Sequence, residues 1–281
     1  MCMKASTQKD FQDMYNIMLG ELNASHMGMR YANDRTDLEK ERTGLLGAEV
    51  LPTQKGVKVN RVVPNSPADR EQSKLLVGDI ITHVNGTEIS KTSNFYALLE
   101  NTINEKVLLT VKRNGDEQEI VIRPSASLRN ELYNEWVINN RKLVDKWSNG
   151  KLGYLHIEAM GWESFERFER EFTAVATGKD AIVIDVRYNG GGWTTDYLMT
   201  VLNYKQHAYT IPRGAAKDLE KEKSKFRSYY PIGERLPYAA WTKPSIALCN
   251  QNSYSNAEIF SHAYKNIGIG TLVGVPTFGA V

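Results

Sequence analysis

A serine set between a strand and a helix is the residue of this chain best placed to do chemistry. Ser255 lies in N-Q-N-S-Y-S-N-A-E-I-F, Asn250 to Phe260. The apolar run Pro244 to Cys249 ahead of it predicts a buried strand, and Ala257 to Ile267 behind it predicts a helix. At such a junction backbone N–H groups and the helix dipole favour negative charge. That setting suits an acyl-transfer nucleophile with its oxyanion hole. The same residues also read as a capping box, S-x-x-E from Ser255 to Glu258, which only starts a helix. Two further groups stand out. His26 closes G-E-L-N-A-S-H after a helical stripe, and histidine is the usual general base near neutral pH. A histidine there is also an ordinary C-terminal cap. Asn189 to Gly192, N-G-G-G, follows an apolar run. Glycine lets backbone N–H groups approach a ligand, and it equally makes a plain tight turn.

Three regions must position these groups. In residues 1–42, Phe11, Met14, Tyr15, Met18, Leu19 and Leu22 recur at helical spacing, and Arg30 to Arg42 is a polar linker. Residues 43–125 alternate short apolar runs with turns at Pro64 to Ala68, Asn85-Gly86 and Asn114-Gly115. Phe95 to Leu99 fits a helix within this β-rich region. In residues 126–281 strands and helices alternate, which predicts an α/β layer structure. Leu128 to Trp147 reads as an amphipathic helix, Gly153 to Ile157 as a strand, Phe165 to Ala176 as a helix and Ala181 to Val186 as a strand covered on both faces. A helix from about Thr195 to Asn203 follows the glycine turn, and Arg213 to Lys225 is a solvated, charged stretch.

Composition narrows the classes. The chain has 281 residues, 41% hydrophobic, with a net charge of +2 and two cysteines, Cys2 and Cys249. A packed core is attainable. No basic block points to nucleic acid, no apolar run has the length of a membrane span, and no cysteine pattern suggests a disulfide scaffold or a metal site. The N-terminus lacks the apolar segment of a signal peptide, so a cytoplasmic location is favoured, with a periplasmic one if the true N-terminus lies upstream. The chain stops at Thr277 to Val281 in mid-fold, the pattern of a fragment.

Two resemblances rest on these motifs. V-x-P-N-S-P-A followed by L-x-V-G-D-I-I-x-x-V-N-G, Val62 to Gly86, resembles a PDZ domain. Gly44-Leu45-Leu46-Gly47 is similar to that family's carboxylate-binding loop, which implies capture of a peptide C-terminus by strand addition. Over nearly the whole chain, the order of motifs resembles the tricorn protease family of serine peptidases (S41-type, with a PDZ domain), relatives of the carboxyl-terminal processing proteases. The motifs are G-E-L-N-A-S-H, G-Y-L-H-I-x-x-M-G at Gly153 to Gly161, D-V-R-Y-N-G-G-G at Asp185 to Gly192 and G-I-G-T-L-V-G-V-P-T-F-G at Gly268 to Gly279. The resemblance implies an α/β multidomain protein: an N-terminal helical segment at 1–42, a PDZ-like domain at 43–125 and a ClpP/crotonase-like peptidase domain at 126–281, truncated at its C-terminus. It implies Ser255 as nucleophile, His26 as general base and Ser25 as a supporting serine. It places the oxyanion hole at the amides of Gly192 and Asn256, and substrate contacts at Gly191 and Thr210. It implies no cofactor and no metal, a peptide or unfolded-protein substrate, and is compatible with a homo-oligomer.

Three departures qualify this. The processing proteases carry a lysine in T-F-G-K-G; here the place is Ala280, which excludes a Ser–Lys dyad and leaves the histidine. Where the tricorn family has an aspartate favouring basic side chains, this chain has Thr210. The family's supporting glutamate would fall beyond Val281. Thr210 and the missing glutamate motivate an alternative, an inactive PDZ-type peptide-binding scaffold, which peptides with free and amidated C-termini would test. An acyl-CoA enzyme of crotonase-like fold is a third reading, which predicts CoA binding.

Overall fold

The computed structural model describes residues 5–22, 24, 26–30, 42–204, 214, 216–218, 220–222 and 240–281. The chain divides into two compact units, one made of residues 1–32 and 140–281 and the other of residues 33–139.

The second unit is built on an antiparallel sheet of β1 (Ala48–Pro52), β2 (Val57–Val62), β3 (Ile80–Val84), β4 (Thr87–Glu88), β5 (Val107–Arg113) and β6 (Asp116–Ile122), in the order β1-β2-β3-β5-β6 with β4 beside β3. The two Asn-Gly pairs act as the sequence predicts. Asn85-Gly86 and Asn114-Gly115 all take positive φ, the geometry whose twist matches the flanking strands of a tight hairpin. Val59, Ile81, Val107, Leu109 and Val111 are fully buried on one face. Phe95 to Leu99, expected as a helix, holds only a 3-10 turn at Ala97–Leu99. Its amides bond three residues back, Leu98 to Phe95 and Leu99 to Tyr96, and so short a run does not repay α-helix nucleation.

In the first unit, α1 (Gln8–Gly20) starts at a reciprocal cap. The Asp10 N–H donates to the Thr7 hydroxyl at 3.1 Å and the Thr7 N–H to the Asp10 carboxylate at 2.9 Å. A parallel sheet runs β10-β9-β8-β7, from β7 (Leu152–His156), β8 (Ala181–Asp185), β9 (Ser245–Cys249) and β10 (Thr271–Gly274). Further helices are α2 (Arg129–Trp147), which the division between units crosses, α3 (Trp162–Ala176), α4 (Thr195–Leu202) and α5 (Asn256–Asn266). Phe165, Phe168 and Phe172 bury the inner stripe of α3 with Ile182 and Ile184 in one core. Of the apolar positions of α2 only Val137 is buried, whereas Leu132, Leu143 and Trp147 stay exposed. Register aligns the strand ends: His156 pairs with Asp185, and Asp185 with Leu248. The turns after β7, β8 and β9 therefore emerge at one edge, the carboxyl end of the parallel strands, where ligands gather in open α/β sheets.

Candidate active site

The turn after β9 places Ser255 at a sharp entry to α5. Its backbone sits at φ +56° and ψ −121°, a region costly for any residue with a Cβ and stored only where surroundings enforce it. Several bonds do so. The Tyr254 N–H donates to the Asn189 carbonyl at 2.9 Å. The Ser255 N–H donates to the Glu258 carboxylate at 2.9 Å. The Ser253 hydroxyl reaches the Val186 carbonyl at 2.8 Å. The capping box expected from the sequence is thus present, with the Glu258 carboxylate accepting from the Ser255 N–H. The serine hydroxyl itself lies 2.8 Å from His26 Nε2, across 229 positions of sequence.

His26 is delivered by the segment after α1. Asn16 pins that segment, its side-chain oxygen accepting from the Met29 N–H at 2.7 Å and its amide donating to the Met29 carbonyl at 3.2 Å. The imidazole packs edge-on to Tyr254 with ring centres 5.3 Å apart, and Tyr254 meets Phe278 edge-on at 4.9 Å. Ser25 and Thr210 lie outside the described residues.

The glycine turn after β8 approaches from the other side. Gly192 forms a parallel bridge with Met160. The Met160 N–H donates to the Gly191 carbonyl at 2.9 Å, and the Trp193 N–H donates to the Met160 carbonyl at 2.7 Å. In that pattern the N–H and C=O of Gly192 itself point away from Met160. The Gly191 N–H is engaged by the Asn189 side chain at 2.8 Å. Gly192, not Gly191, is therefore the glycine with an outward amide. No larger residue fits either place. A methyl on Gly191 would stand 2.7 Å from the Ser255 Cβ, and one on Gly192, at φ +146°, would stand 2.1 Å from the Met160 carbonyl oxygen. The Asn256 N–H is the first of α5 and has no partner four residues back within the helix.

Side chains that sequence reasoning passed over fasten the two turns together. Asn189 is fully buried and links three elements. Its amide donates to the Ile157 carbonyl at 2.8 Å, its side-chain oxygen holds Gly191, and its carbonyl holds Tyr254. The Asn256 side-chain oxygen accepts from the Thr195 N–H at 3.0 Å and from the Thr195 hydroxyl at 2.9 Å. Buried Asp185 takes a forked bond from Arg187 and a 2.7 Å bond from the Tyr154 hydroxyl. Burial, then the Asp185 charge, push the Tyr154 hydroxyl far above its ordinary range. Glu258 accepts from Ser255, Gly279 and Ala280. Burial pushes its carboxyl up, but the N–H groups of Gly279, Ser255 and Ala280 outweigh that and hold it below the usual glutamate value. Of these, Glu258 is marked in the sequence by the S-x-x-E pattern; for the others the signal is polar type inside otherwise apolar or glycine-rich runs.

In the other unit, the Gly44 N–H donates to Leu99 and the Leu45 N–H to Ser125, each at 2.8 Å, while the Gly47 and Leu46 carbonyls accept from Val63 and Ala68. Gly47 stands at φ +84° against Ser66. The strand that follows this loop, β1, is an edge of its sheet. Among the described residues no group of three His, Cys, Asp or Glu side chains is set to hold a metal, and no helix is long and apolar enough to cross a membrane.

Known families match residues in both units of the chain. Peptidase family S41 matches residues 151–281 and the PDZ domain matches residues 44–123. The tricorn protease of Thermoplasma volcanium is 26% identical over 98% of this chain and 26% of its own length. Tricorn protease homolog 1 of Streptomyces coelicolor is 30% identical over 99% of this chain and 25% of its own length. A crystal structure of the tricorn protease superposes with a TM-score of 0.76 at 25% identity, covering 99% of this chain and 26% of that one. The chain spans about a quarter of the length of these curated relatives. With both models matched in order and 99% of the chain superposed on the tricorn protease structure, the chain is similar to the tricorn proteases: a PDZ domain match at residues 44–123 precedes a peptidase family S41 match at residues 151–281.

Proposed function

We propose that the chain is a serine peptidase acting on peptides, with Ser255 as nucleophile and His26 as general base. The observation that carries this is the 2.8 Å approach of the Ser255 hydroxyl to His26 Nε2. In the reaction, Nε2 takes the hydroxyl proton as Oγ attacks the scissile carbonyl. The carbonyl oxygen becomes an oxyanion beside the Gly192 and Asn256 N–H groups. Collapse breaks the C–N bond, and the imidazolium returns its proton to the leaving amine. Water repeats the sequence on the acyl-enzyme and frees Ser255. Preorganised donors of this kind are worth on the order of 10²–10³ in rate each. His26 is exposed and Ser255 half-buried, so a substrate can reach both. The edge strand β1 and the Gly44–Gly47 loop suit a subsidiary role, holding a peptide C-terminus by strand addition.

A fluorophosphonate probe tests the reading. The full chain is expected to form an adduct on Ser255, located by peptide mass mapping, and the adduct is expected to vanish in Ser255→Ala. A folded chain that stays unlabelled would overturn the assignment and favour a peptide-binding scaffold.

A further inference from the structure

Beside the glycine turn three aromatic side chains stand in solvent. Trp162 is 43% exposed, Trp193 56% and Tyr197 36%. They form one cluster. The two indoles stack parallel with centres 6.1 Å apart, and Tyr197 meets each edge-on at 5.8 Å. Buried Phe165 supports Trp162 at 5.5 Å and Tyr197 at 5.6 Å. Three large rings held together at a surface mark a place of contact rather than scattered apolar exposure.

Each ring is tied to a residue of the proposed oxyanion hole. Trp193 follows Gly192 directly. Trp162 stands two residues after Met160, the bridge partner of Gly192. Tyr197 stands two residues after Thr195, which is bonded to the Asn256 side chain. The cluster is thus linked to both turns through neighbouring residues and direct bonds. Successive Cα atoms lie about 3.8 Å apart. Trp193 is one such step from the Gly192 N–H, so a peptide with its scissile carbonyl there passes beside Trp193.

We propose that Trp162, Trp193 and Tyr197 form a subsite that selects an aromatic or large aliphatic residue next to the scissile bond. This rests on the peptidase reading of the same site. Edge and offset contacts between rings suit such an occupant. A cation held on the ring faces is the competing occupant.

The test is peptide binding to the full chain carrying Ser255→Ala, by anisotropy of fluorescein-labelled alanine-based hexapeptides with Phe, Lys or Ala scanned through each position. The Phe peptide is expected to bind about tenfold tighter than the Ala peptide at one position, the usual scale for a single aromatic anchor. Trp193→Ala is expected to erase that advantage, and Trp193→Phe to keep it, which separates lost contact from lost folding. Equal binding of Phe and Ala peptides, preference for Lys, or an advantage that survives Trp193→Ala with Trp162→Ala overturns the proposal. Fluorophosphonate labelling of the unmutated chain reports separately: an adduct without Phe preference sinks the subsite alone, and Phe preference without an adduct sinks the peptidase reading alone.

Discussion

A hydroxyl 2.8 Å from an imidazole, on a residue at φ +56°, is a costly arrangement to maintain without a use. Its chemistry makes residue-level expectations. His26→Gln leaves a side chain that can bond the hydroxyl but cannot take its proton. Fluorophosphonate labelling of Ser255 is expected to slow by roughly 10²–10⁴-fold, with the circular dichroism spectrum unchanged; labelling at the original rate would show another base at work. Gly192→Ala must move its backbone, because the new methyl meets the Met160 carbonyl at 2.1 Å. The expected loss is about 10²–10³ in kcat with a smaller change in KM, the mark of a donor used only in the transition state. Steady-state kinetics on a quenched peptide would read both numbers.

At the scale of elements, the site depends on how two turns at the carboxyl edge of the parallel sheet are fastened. Asn189→Ala leaves the Gly191 N–H and the Ile157 carbonyl without their buried partner. The expected cost is about 1–3 kcal/mol, read from the denaturation midpoint. Glu258 gives a pH dependence. Its carboxyl is held below the ordinary glutamate value in the fold, so its contribution is complete above that ordinary value and fades as pH falls through the lowered one. The Tm gap between the parent and Glu258→Gln is therefore expected to be widest near neutral pH and to close in acid; a gap that widened in acid would reverse the assignment. These fastenings also mark how far the sequence could be read. The strand and helix around Ser255 followed from apolar runs, and both hairpins from their Asn-Gly pairs, because local backbone preference decides them. The roles of Asn189, Thr195 and Asn256 were invisible, since they are contacts between segments 32 to 61 residues apart and no local pattern encodes them. β1 and β10 were not foreseen as strands because neither buries a residue, so no apolar run or clean alternation marks them.

At the scale of the molecule, residues 33–139 have their own buried cluster, from Leu46 through Ile122. That unit, expressed alone, is expected to unfold in one cooperative step in urea; gradual, probe-dependent loss of structure would show that it depends on the rest. The other unit is assembled from both ends of the sequence, residues 1–32 and 140–281. The whole PDZ segment is thus inserted between the proposed base and the proposed nucleophile. This arrangement has a consequence for biogenesis. On the ribosome His26 emerges 229 residues ahead of Ser255, so no stretch of the nascent polypeptide made before Ser255 can cut its neighbours. Hydrolytic competence would arrive only when the two parts of the split unit find each other.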